Sequence, residues 1–192
     1  MNAIKELPEQ YRQVYAIDLQ KDKKAALIVN CLALLIMLAM ILCAQFYIPI
    51  QTLFSFEQGI GQYFLRFGAI LLLIVLYMIL HELVHGIAMK LCVTKKVKYG
   101  FTGMYAFAGS DDYYNKKSYI FIALAPVVLW GIVLAVVNML VPIAWFWVVY
   151  FIQITNISGA AGDLYVTVKF SRMPKDILVQ DYGIGMKVYA KE

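Results

Sequence analysis

Histidine is nearly absent from this chain: His81 and His85 are the only two. The three cysteines, Cys31, Cys43 and Cys92, form no CxxC pair, and the only glutamate beyond Glu82 is the last residue, Glu192. Charge is also sparse, with 15% of residues charged against 62% hydrophobic. Each scarcity excludes something. Isolated cysteines in or beside apolar stretches build no disulfide framework and read as packed apolar residues. A site with three histidine ligands is impossible. Ser158 has neither a GxSxG elbow around it nor a spare histidine to serve it, so it is not read as a nucleophile. There is no internal repeat, and no separate soluble domain would fit.

What is present is hydrocarbon. Mean hydropathy is +0.72, and four apolar stretches run approximately Ala25–Ile48, Tyr63–Met89, Tyr119–Leu140 and Ile143–Val168. Each is long enough to cross a bilayer core, which takes roughly 20 helical residues. The expected architecture is an all-α membrane protein of four transmembrane helices with small cytoplasmic β-hairpins, residues 1–192 forming one integral membrane domain. The first 24 residues are polar and charged, with no short apolar region and cleavage site, so the first span reads as an anchor that stays.

Lysine and arginine are distributed unevenly. Five precede the first span, Arg66 lies near the loop between the first two, six fall from Lys90 to Lys117, none separates the third and fourth, and five follow the fourth. The positive-inside rule then puts both termini and the 90–117 connection in the cytoplasm of a multi-pass plasma-membrane protein. This asymmetry accounts for the net charge of +5, so no nucleic-acid partner is invoked. The bilayer itself is the expected partner of the basic rim.

The segments outside the spans carry weaker signals. Residues 1–24 mix Leu7, Tyr11, Val14, Tyr15 and Ile17 with charges and read as an interfacial segment or a flexible tail. Val97–Phe101 alternates, Thr102-Gly103 supplies a turn and Met104–Phe107 resumes, which predicts a hairpin over 97–108. Gly109–Asp112 breaks the strand, and Asn115 or Ser118 is placed to cap the third span. The tail 169–192 predicts a second small hairpin.

The motif that carries chemistry is His81-Glu82-Leu83-Val84-His85, inside the second span. Positions i and i+4 of a helix share a face, so both imidazoles point at one spot. Glu82 is close enough to address a water held there, which is the HExxH zinc-hydrolase arrangement. A chance match at this composition is on the order of one in a thousand. A catalytic zinc takes three protein ligands, and the candidates for the third are Asp111, Asp112, Asp163, Asp176, Asp181 and Cys92. Asp163 stands out because it lies within the fourth apolar span, where a lone carboxylate is expensive and by default functional. Its depth also agrees. His85 and His81 lie five and nine residues inside Lys90, and Asp163 six before Lys169, so all three fall roughly 8–14 Å below the cytoplasmic surface at 1.5 Å per residue. Asn156, seven residues before Asp163, shares its face. Its amide either holds a substrate carbonyl or its oxyanion, or makes a plain interhelical hydrogen bond. Gly159 and Gly162 allow close approach or a local unwinding that turns Asp163 toward the metal.

His81-Glu82-Leu83-Val84-His85 on one span, with Asn156 and Asp163 on a later one, resembles the site-2-protease class of intramembrane zinc metalloproteases. More closely, the chain resembles the small bacterial putative zincin peptidase family, a resemblance that includes Ala123-Leu124-Ala125-Pro126 at the head of the third span. It departs from the site-2 pattern in having Ser158-Gly159-Ala160-Ala161-Gly162 where prolines usually stand, and Leu164 where a glycine usually follows the aspartate. The resemblance implies a zinc-dependent intramembrane endopeptidase acting on membrane-anchored proteins or peptides near the cytoplasmic side. In it, Glu82 would take a proton from the attacking water and later return one to the leaving amine. The 97–108 hairpin would offer an edge strand to an unwound substrate. Two rivals use the same residues: a catalytically silent binding or scaffold protein, and a metal or proton transporter. Zn2+ is the expected ion, although a His2Asp set also accepts Fe(II) or Mn.

Overall fold

The computed structural model describes residues 3–18, 20–103 and 106–191. In chain order the elements begin with strand β1 (Tyr11–Asp18) and helix α1 (Lys23–Gln45). A 3-10 turn at Ile50–Phe54 leads into α2 (Ile60–Leu91), followed by β2 (Lys98–Phe101), β3 (Ala106–Gly109) and β4 (Tyr113–Asn115). Then come α3 (Lys116–Leu140), a second 3-10 turn at Ile143–Trp145, α4 (Phe146–Gly159), α5 (Ala161–Ser171), β5 (Leu178–Asp181) and β6 (Gly185–Lys191).

Four helical stretches are long and apolar enough to cross a membrane: Lys23–Gln45, Ile60–Leu91, Lys116–Leu140 and Ile143–Ser171. Leu35, Leu71 and Ile132 stand exposed on them, as expected where hydrocarbon is the solvent. The helix ends follow local chemistry. Asp22 Oδ1 accepts the N–H groups of Lys24 and Ala25, which caps α1. Asn115 Oδ1 accepts the Ser118 N–H at 2.9 Å, so of the two residues expected to cap the third span it is Asn115 that does so. The fourth stretch is not one helix. It breaks at Ala160, between α4 and α5, at the small-residue run where unwinding was expected.

The contacts divide the chain into two compact units. The first comprises 1–29, 80–126 and 162–192. It holds a four-stranded antiparallel sheet in the order β1-β6-β5-β4 and the separate β2-β3 hairpin. Its core contains Met89, Cys92, Tyr114, Tyr119, Ile122, Phe170 and Val188. Tyr114 has no exposed surface; its hydroxyl meets Thr94 and Ser110 at 2.6 Å each, and burial pushes the phenol up to about 12.

Both expected hairpins are present, β2-β3 and β5-β6. Met104 and Tyr105, expected to resume the second strand of the first hairpin, lie outside the described residues. The amino-terminal segment is not a flexible tail: it carries strand β1. Tyr11–Asp18 pairs along β6, from Tyr11↔Lys191 to Asp18↔Gly185. Backbone pairing with the far end of the chain supplies the ordering that its mixed composition does not reveal.

The second unit comprises 30–79 and 127–161. Trp147, Val148, Leu53 and Ala44 form its core. Arg66 is 1% exposed there. Its guanidinium donates to the carbonyls of Thr52 at 3.0 Å, Ala144 at 3.4 Å, Gln62 and Ser55. Cys31 and Cys43 are exposed rather than packed, and only Cys92 is buried. Both lie on a helix apolar enough to cross a membrane, where a thiol, behaving as a small apolar group, needs no protein cover.

Candidate metal centre

Four of the residues singled out in the sequence belong to the first unit. His81, Glu82 and His85 lie on the second half of α2, and Asp163 is in the first turn of α5. The two histidines are 8% and 9% exposed. His81 Nε2 and His85 Nε2 lie 3.2 Å apart. Asp163 Oδ2 lies 3.5 Å from the first and 3.6 Å from the second. Among the described residues, these are the group of histidine, cysteine and carboxylate side chains whose ligand atoms converge, all within 4.8 Å.

The spacing fits one ion. A tetrahedral zinc with bonds of about 2.0–2.1 Å holds its ligand atoms about 3.3–3.4 Å apart. The three measured edges, 3.2, 3.5 and 3.6 Å, bracket that value. Donor chemistry agrees, since two imidazoles and one carboxylate form a common three-ligand set that leaves a fourth position open. His85 is also oriented. Its Nδ1 lies 3.0 Å from the Ile122 carbonyl, which can only accept, so Nδ1 carries the hydrogen. In the neutral ring Nε2 then presents its lone pair to the cluster.

The other candidates for third ligand do not join this group. Asp111 pairs with Lys98 at 2.7 Å, and Asp112 sits in a turn where its N–H donates to Ser110 Oγ. The Asp176 carbonyl accepts from Tyr11, and Cys92 is packed in the core. Asp181 is held by the Tyr119 hydroxyl and the Gly183 N–H, each at 2.9 Å. Burial pushes its carboxyl up to about 6, against those hydrogen bonds, with Asp163 adding to the rise. This second carboxylate within electrostatic reach of the cluster was only one name among six in the sequence; nothing local marks it.

Glu82 is half-buried beside the hairpin, and the backbone N–H of Ala108 on β3 donates to its carboxylate. Glycine makes this approach possible. A side chain at Gly86 would run into the Tyr99 hydroxyl, and one at Gly183 into the Phe107 ring. Tyr99 and Phe107, on opposite strands of the hairpin, therefore seat β2-β3 against α2 and the β5-β6 turn.

Asn156 belongs to the second unit and is fully buried. Its Oδ1 accepts the Tyr77 hydroxyl at 2.8 Å and its Nδ2 donates to the Val127 carbonyl at 3.1 Å. These are the interhelical bonds of the simpler expectation for this residue.

Comparison with known proteins agrees with the chemistry of the cluster. The sequence model of the family described as "Putative zincin peptidase" matches residues 73–178, more than half of the chain. An "Uncharacterized 24.7 kDa protein in gap 5'region" of Pyrococcus woesei is 31% identical over 123 residues, covering 62% of this chain and 53% of that protein. The chain thus spans about half the length of that curated relative. No solved structure matches. The matched stretch contains His81, Glu82, His85 and Asp163, and zinc is the cofactor the family implies. The chain belongs to the putative zincin peptidase family.

Proposed function

We propose that the protein is an intramembrane zinc endopeptidase that cuts membrane-anchored proteins or peptides near the cytoplasmic face of the cell membrane. The observation that carries this reading is the convergence of His81, His85 and Asp163 beside Glu82, on helices long and apolar enough to span a bilayer. Three ionisable side chains at that depth are costly unless an ion uses them. The side of the membrane follows from the excess of lysine and arginine in the termini and the 90–117 connection.

In this reading His81, His85 and Asp163 hold the zinc. When bound, the metal polarises the scissile carbonyl and acidifies a water. Glu82 takes the proton of that water and passes it to the leaving amine. Among the described residues β3 pairs with β2 in its sheet, and its other edge lies beside Glu82, whose carboxylate takes the Ala108 N–H. A substrate segment unwound from helix would add there as a strand, exchanging its own helical hydrogen bonds for those of the edge. Asn156, held by Tyr77 and Val127, joins α2, α3 and α4, and no chemical step uses it.

The test is Glu82→Gln in proteoliposomes, with a single-span peptide substrate and product detection by mass spectrometry. Cleavage is expected to fall at least ~100-fold, with zinc content unchanged. Equal cleavage by wild type and variant would overturn the assignment. Zinc or proton flux without cleavage would favour the transporter, and a cellular effect that survives the substitution would favour the silent binder.

A further inference from the structure

The hydrogen-bond partner of His85 is a helix carbonyl, and such carbonyls are ordinarily taken. In an α-helix the C=O of residue i accepts the N–H of residue i+4. For Ile122 that residue is Pro126, inside α3, which has no N–H to give. The proline ring also presses against the carbonyl four residues back and tilts it out of the helical ladder. Ile122 O is the atom that lies 3.0 Å from His85 Nδ1. The helix at this point is otherwise tightly packed, with Ile122, Ala123 and Pro126 all buried. The vacated acceptor is therefore closed to water and open to the histidine.

We propose that Pro126 is a positioning residue of the metal centre: by leaving the Ile122 carbonyl without its helical donor, it provides the acceptor that sets the tautomer and ring orientation of His85. The proposal rests on His85 being a zinc ligand. The chain of cause runs from the proline to a freed carbonyl, from the carbonyl to the hydrogen on Nδ1, and from that hydrogen to the lone pair of Nε2. A carbonyl has a second lone pair, but a helical partner would draw it back parallel to the axis and away from α2. The proline thus trades helix stability for a ligand held in its metal-binding form.

That trade gives the test opposite signs. In Pro126→Ala the new N–H closes the helical bond, so the metal-free protein in detergent micelles should unfold at a higher temperature. Its zinc affinity, measured by competition with a chromophoric chelator, should nevertheless fall about 10- to 100-fold, the usual effect of losing such a partner. A residue that served only to shape the helix would move stability and leave zinc affinity alone. The second measurement needs no variant. With only two imidazoles in the chain, ring nitrogen NMR of metal-free, 15N-histidine-labelled protein can be assigned, and His85 should carry its hydrogen on Nδ1. Absence of a hydrogen from His85 Nδ1, or zinc affinity within twofold of wild type in Pro126→Ala, would overturn the proposal. Neither readout requires turnover, so loss of the peptidase reading through Glu82→Gln would leave this result standing, and the reverse also holds.

Discussion

The two compact units both bury polar side chains among apolar helices, and they do so in opposite ways. In the second unit Arg66 spreads its guanidinium over backbone carbonyls, while Tyr77 and Asn156 pair with each other and with Val127. Donors there meet acceptors nearby. In the first unit two imidazole nitrogens and a carboxylate oxygen, all metal-ligating atoms, are held 3.2 to 3.6 Å from one another. A polar group that serves packing is matched to its complement. In the first unit the carboxylate instead lies within ion-pair distance of both imidazoles, so that three atoms of the kinds that ligate metals share one spot.

The contrast breaks most visibly at Asp163. Asp163→Ala should lower zinc affinity by more than the roughly 10- to 100-fold expected from losing a ligand's hydrogen-bond partner, and abolish peptidase activity. Metal analysis of the purified variant checks this, and retained stoichiometric zinc would move the third ligand elsewhere. Arg66→Met should do the reverse. It removes the guanidinium donor from the Thr52, Ser55 and Ala144 carbonyls, of which Thr52 keeps the Ser55 N–H, so unfolding free energy in micelles should drop by about 3 kcal/mol. Zinc content per folded molecule should stay the same.

Asp181 sharpens the comparison through pH. Burial pushes its folded carboxyl up to about 6, above the ordinary value of about 4. Stability from this group is therefore fully present below about pH 4 and is lost as pH rises toward 6, since the unfolded chain has already given up the proton that the native state keeps. Thermal midpoints of metal-free protein between pH 4 and 7 should show this decline, and Asp181→Asn should flatten it. The smallest expected effect lies at the end of α2. Val93 takes a φ of +70°, a left-handed conformation that disfavours a β-branched residue, while the Thr94 N–H closes the helix onto the Met89 carbonyl. Val93→Gly should raise stability by about 1 kcal/mol, measured by denaturant unfolding, with zinc affinity unaltered.

Much of the site was legible in the chain because its signals are local. His81 and His85 share a helix face by spacing alone, and four long apolar runs need only composition. Asp163 was separable from five rivals because a carboxylate within an apolar run is expensive. Asp181 was not, since what brings it near the cluster is the β5-β6 turn and the Tyr119 hydroxyl. β1 was missed for a similar reason: its partner β6 lies at the other end of the chain, and Tyr11–Asp18 has the burial pattern of a strand covered only in part. The hairpin at 98–109 was readable from its alternation and turn, but its seat beside Glu82 depends on Gly86 and Gly183 and on no pattern within the hairpin.

The sequence by itself determined the hydrophobic character, the helix that presents His81, Glu82 and His85, and the proline four residues beyond Ile122, because each is set by neighbours within a turn or two of chain. Only the tertiary structure decided how near Asp163 comes to the two histidines, which carbonyl receives the His85 hydrogen from 37 residues away, and which strand edge lies beside the base. Those choices depend on distances between segments remote in sequence, and they are settled by packing between helices and strands rather than by any local preference.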